Sequence, residues 1–259
     1  MKRFAVAFLL LAFAFPAAIT QPQTKKTATG KKRQKPPCVA AFGECPDQGC
    51  GGEFDPNLNK LKNVRSSDQA ATVRSLAWMK KLDDPENFSQ GDSREELAAL
   101  GEGQTITVVA FLLRAKPELG GESCNCGFHT PDETDNHLVL VSKATVDKFP
   151  VSSGSSGSSV FSSREPESQT AEFTPRVRKD HPNFTLDVVQ PLINKTKQKA
   201  LLVRVTGQLL FDSEHFIRNG LVRSNNWEIH PVFKLEFCEN GNNCKAGSDA
   251  GWKSLDGLQ

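Results

Sequence analysis

Residues 201–212, LLVRVTGQLLFD, decide the fold. Leu201, Val203, Val205, Leu209 and Phe211 fall on one face of an extended segment, and Arg204, Thr206 and Gln208 on the other. This alternation is that of a half-buried strand. Gly207 interrupts the apolar row, where a barrel strand bends. Upstream, TITVVAFLLR (105–114) repeats the pattern with Ile106, Val108, Ala110 and Leu112. Two further strands are expected between them, at 137–143 and at 169–174, the latter stopped by Pro175, which has no N–H to give a central ladder. A fifth is expected at 227–237, where Trp227, Ile229, Phe233, Leu235 and Phe237 oppose Glu228, His230, Lys234 and Glu236. Between the third and fourth, residues 181–195 carry Phe184, Val188, Leu192 and Ile193 on one helical face. Pro191 implies that this helix is short or kinked.

Strand, strand, strand, helix, strand, strand resembles the OB-fold, a five-stranded Greek-key barrel. The expected fold class is therefore mainly β: an OB-like barrel over residues 101–238, with a helix between strands 3 and 4. Within it, residues 150–163 include a run of Ser and Gly that reads as a flexible loop. The resemblance places a ligand across strands 2 and 3, between the loop after strand 1 and the loop between strands 4 and 5. In address and architecture the chain is also similar to small exported bacterial OB-type proteins, though it carries none of their diagnostic motifs.

The flanks add a small helical and Cys-rich N-terminal extension. Residues 1–20 have the layout of a cleaved signal: basic Lys2 and Arg3, an apolar run, then small residues. That run is shorter than the roughly 20 residues a membrane span needs. The expected address is secreted or periplasmic. Residues 21–37 read as a disordered linker whose basic run, 25–35, is a solvated spacer or an arm for an anionic envelope surface. Residues 38–66 read as a Cys-rich loop. Residues 67–100 read as two helices, one capped by Ser66 with Gln69, the other by Ser93 with Glu96 and ending at Gly101. The tail, 239–259, adds little. Seven cysteines in an exported chain imply disulfides and one thiol left over. Cys38, Cys45, Cys50, Cys238 and Cys244 are the expected partners, the last two closing a small loop.

Several function classes are weighed against this frame. A formal charge of +2 implies no polyanion partner for the whole chain. There is no Tyr, and the second strand has no aromatic, which counts against stacked single-stranded nucleic acid. The leading expectation is a binding module of the cell envelope, its ligand an oligonucleotide, an oligosaccharide or a protein. Its contacts would be His137, Arg176, His215, Glu228 and His230, between residues 115–136 and 213–226. The second is a metal-dependent hydrolase or nuclease using the same histidines and carboxylates. OB-barrel nucleases surround a metal with carboxylates and arginines, and Arg176, Arg178 and Arg204 are available, but the motif does not match. The third is a metal site on Cys124, Cys126 and His129 with Asp135, ligand types suited to zinc or copper. A divalent metal is thus the one cofactor anticipated.

Overall fold

The computed structural model describes residues 35–51, 54–85, 87–154, 156–239 and 243–258. The expected signal segment and nearly all of the expected basic linker lie outside the described residues. The strands are β1 (Thr72–Arg74), β2 (Thr105–Pro117), β3 (Asn136–Val141), β4 (Gln169–Phe173), β5 (Leu201–Phe211), β6 (Trp227–Cys238) and β7 (Trp252–Ser254). Neighbours run β2-β3-β4-β6-β5, and antiparallel pairing of β5 with β2 closes the circle. All barrel pairings are antiparallel except β4 with β6. This is the expected closed five-stranded barrel of OB type, to which β1 and β7 add short strands at the edges.

The barrel is filled as the alternation requires. Val203, Val205, Leu209 and Phe211 of β5 are fully buried, with Ile106, Val108 and Leu112 of β2, Leu138 and Leu140 of β3, Phe173 of β4, and Trp227 and Ile229 of β6. Each such side chain contributes about 1.5–3 kcal/mol over its exposed state. Gly207 is required by close approach. A Cβ there would lie 2.3 Å from the Pro231 carbonyl oxygen and 2.6 Å from Ile229 Cγ2, at the point where the β5–β6 register shifts.

The helices are α1 (Pro56–Lys62), α2 (Leu76–Met79), α3 (Glu95–Leu100), α4 (Lys143–Lys148), α5 (Gly157–Arg164), α6 (Pro175–Arg178) and α7 (Leu186–Lys195). Four differ from expectation. The Ser66 cap is not used. Thr72 and Val73, β-branched and suited to strands, pair in parallel with Ile106 and Thr107, leaving Val73 exposed. The helix then starts nine residues later, where the Ser75 side chain accepts from the Trp78 N–H. Residues 56–62, expected as loop, form α1 because Asp55 accepts from the Asn57 and Leu58 amides and Pro56 occupies the first turn. The Ser/Gly stretch is not wholly loop. Ser156 caps α5, and the buried Arg164 at its end donates to the carbonyls of Phe149 and Gln198. The helix before β5 begins at Leu186 and runs through Pro191, while Phe184 precedes it and stacks on Phe173 at 4.4 Å.

Since Leu138, Ala171, Phe173 and Ile229 point inward, His137, Thr170, Glu172, Glu228 and His230 point to the outer face of β3, β4 and β6. One part of the outer surface is apolar, where Val146 of α4 and Phe161 of α5 pack on Val139, Val141 and Leu202. The other part is polar, and two long connections roof it.

Candidate functional site

The roof is built from the β2–β3 connection (118–135) and the β5–β6 connection (212–226). The first is stapled by Cys45–Cys126 to the segment before α1, itself closed by Cys38–Cys50. Lys62 at the end of α1 is 2% exposed, and its Nζ lies 3.4 Å from Glu122 and 3.2 Å from Glu214, one acid on each connection. Burial opposes that charge, but Glu122, Glu214 and Asp212 outweigh it and raise the ammonium well above its ordinary range. Arg178 donates to the carbonyls of Pro131, Asp132 and Thr134.

Beneath the roof lies a cavity of about 310 Å³. Its acids are Glu118, Glu122, Glu165, Glu172 and Asp212, and its bases Lys116, His137, His215 and Arg223, with Val139, Leu221 and Val222 at its apolar edge. His137 is paired with Glu172 across β3 and β4, and its Nε2 meets Thr170 Oγ1 at 2.8 Å. Asp212 ends β5. Its carboxylate accepts from the Glu214 and His215 amides and meets His215 Nδ1 at 3.3 Å and Arg223 at 2.9 Å. Despite burial, Lys62, His215 and Arg223 hold Asp212 well below the usual carboxylate range. The same hydrogen bond raises His215 to about 9. Arg223 also donates to Glu228 at 3.0 Å.

One layer below the cavity sits His230, with no exposed surface. Its Nδ1 meets Glu228 Oε1 at 3.0 Å, with Glu172 Oε2 at 3.4 Å, and its Nε2 faces Asp135 Oδ2 at 3.3 Å. Burial disfavours its charge, yet Glu172, Asp135 and Glu228 together raise the ring well above its ordinary value. For Glu172, burial acts first and Glu228 and Asp135 add to it, so the carboxyl is pushed well up. Asp135 goes the other way, because the facing His230 ring and the Asn125 hydrogen bond together outweigh burial. Three carboxyls around a fully buried imidazole are costly, since each loses its hydration. Such an arrangement at the floor of a cavity marks a functional-site candidate.

The expected contacts are therefore divided. His137 and His215 line the cavity, and Glu228 and His230 lie in the layer beneath. Arg176 does not join them. It is buried, donating to the Cys45 and Pro46 carbonyls with Asp47 at 3.4 Å, so it braces the stapled segment. Arg204 faces away from the site, bound to Glu236 and Asp249. The metal set Cys124, Cys126, His129 and Asp135 is also broken up. Cys126 is in a disulfide and His129 rests against the carbonyls of Leu119 and Lys35, while Cys124 is the free, buried cysteine. Asp135 stays near the centre, and the Cys124 thiol lies within 4.8 Å of its carboxylate. Glu172, Glu122, Arg223 and Lys62 went unnoticed in the sequence. For Glu172 a signal existed: in QTAEF it falls out of phase with the inward Ala171 and Phe173, as His230 does beside Ile229.

In comparisons with known proteins, no family model, no curated protein and no solved structure matches this chain. Function must be argued from the site itself.

Proposed function

We propose that this protein is an exported binding module whose roofed cavity takes a small organic cation. The observation that supports it is the balance of the lining. Five carboxyls face the cavity; Arg223 and His215 are engaged with Asp212 and Lys62 with Glu122, leaving Lys116, and His137 at 3.7 Å from Glu118, against Glu118, Glu165 and Glu172. Burial, with Glu228 and Asp135 adding to it, pushes the Glu172 carboxyl up, and a cation bound beside it would favour its ionised form. Leu221 and Val222, 44% and 53% exposed, give an amine's carbon skeleton a surface to cover at the rim. An acidic lining repels the polyanions that a nuclease or a single-strand binder takes, so neither suits this cavity. Three disulfides are in keeping with an oxidising, extracytoplasmic address. No described helix is long and apolar enough to cross a membrane.

Calorimetric titration of the full chain with spermidine, against a short polyphosphate as the anionic control, tests the reading. Saturable spermidine binding is expected, weakened about tenfold or more by Glu118→Gln combined with Glu165→Gln, since one lost charged contact of about 1.5–3 kcal/mol has that effect. Polyphosphate binding without spermidine binding would retire it.

A further inference from the structure

The layer under the cavity has an order that a cation pocket does not require. Among the described residues, Asp135 Oδ2, Glu172 Oε2 and His230 Nε2 are buried side-chain atoms without a hydrogen-bond partner. They belong to one cluster, in which a donor atom from each residue lies within 4.8 Å of the other two. The residues are 1%, 6% and 0% exposed. A buried polar atom without a hydrogen bond is costly, and three in one cluster call for a common partner.

The atoms that do have partners point the same way. His230 Nδ1 is hydrogen-bonded to Glu228 Oε1, which fixes the ring with Nε2 facing Asp135 Oδ2, so that Nε2 is the nitrogen a metal ion would take in place of a proton. Glu228 is itself held by Arg223. The Asn125 amide donates to Asp135 Oδ1 at 3.0 Å, leaving Oδ2 free. A carboxylate behind the imidazole and a donor behind the carboxylate are the outer partners that orient metal ligands. Spacing agrees for one pair, because zinc bonds of about 2.0–2.2 Å put neighbouring ligands roughly 3.4 Å apart, and Asp135 Oδ2 stands 3.3 Å from His230 Nε2; the 3.4 Å approach of Glu172 Oε2 is to Nδ1, so Glu172 joins the set as a member of the same 4.8 Å cluster.

We propose that Asp135, Glu172 and His230 form a site for a divalent transition-metal ion, zinc being the best match to one nitrogen and two oxygen donors. Two carboxylates neutralise the ion, so the cavity above keeps the acidity of Glu118, Glu122, Glu165 and Asp212. Glu172 lines the cavity, so the ion would lie next to it. The proposal goes beyond the cation reading, with which it shares Glu172 and no other residue.

The test is zinc uptake by the tag-free full chain after chelator treatment, measured by elemental analysis and calorimetry, with cobalt absorption as a second readout. One ion per chain is expected. Asp135→Asn and Glu172→Gln, both isosteric, should each weaken it at least tenfold, the lower end of the cost of losing even an outer partner. His129→Gln, at a ring outside that cluster, should bind as the unaltered chain does. Melting of each variant by circular dichroism shows that it is folded, and a variant that is not folded is replaced in the comparison by the other. Substoichiometric zinc in the unaltered chain, or uptake unchanged in a folded Asp135→Asn or Glu172→Gln variant, overturns the site and leaves His230 as a buried imidazolium. Spermidine binding that persists without zinc uptake would leave the cavity reading intact.

Discussion

His215 shows how much of this site turns on single hydrogen bonds. Its ring is 45% exposed, so an ordinary value near neutrality would be unsurprising, yet the bond to Asp212 takes it to about 9. Burial and Lys62 work against the charge, while Glu122 at 3.7 Å supports it. A basic group whose folded value is raised contributes stability that is complete below its unfolded value and lost as pH rises through the folded one. The His215 contribution should thus be whole below about pH 6.5 and disappear through pH 9. The measurement is the urea midpoint of the unaltered chain against His215→Gln across that range. The gap between them should narrow as pH rises. Solvent screening at a half-exposed ring keeps it small. A gap that widened above pH 9 would mean that the Asp212 bond is not what stabilises the charged ring.

At the scale of elements, the disulfide that spans β2–β3 is the strongest claim on the roof. Cys45–Cys126 closes a separation of 81 residues, against 6 for Cys238–Cys244. Loop-closure entropy then assigns the first roughly 4–5 kcal/mol and the second about 2. Replacing Cys45 and Cys126 by Ala should cost several kcal/mol in denaturant unfolding and raise amide exchange in residues 118–135, with β5 and β6 still protected. Equal loss of protection in those strands would show that roof and barrel unfold as one unit. The barrel strands were legible because each alternates over its whole length and their order belongs to one topology. The short elements were not, because one or two local bonds decide them: the Ser75 cap moved a helix that Ser66 also invited, and Arg164 anchors α5 in a stretch whose composition says loop. The site was half legible for a related reason. His137, His215 and His230 declare their chemistry in any sequence, but Glu172 acquires its meaning from the β3–β4–β6 register, which places it between His137 and His230.

For the molecule as a whole, the bridges all lie outside the barrel interior, two in the N-terminal staple and one beyond the end of β6. The core closes by apolar burial, and covalent links serve the parts with too little core of their own. The seventh cysteine fits this division. Cys124 lies inside the staple, 1% exposed, its Sγ 3.2 Å from Glu122 Oε2. Burial and that carboxylate push its thiol well above the ordinary value, with Lys62 only partly offsetting them. A protonated, covered thiol is a poor nucleophile. The folded protein should therefore react negligibly with an aromatic disulfide reagent over minutes at pH 8, and release one equivalent per chain in denaturant without reductant. Reduction should then expose all seven thiols. Prompt labelling of the native chain would mean that the staple opens readily, and with it the roof that both the cavity and the metal site need.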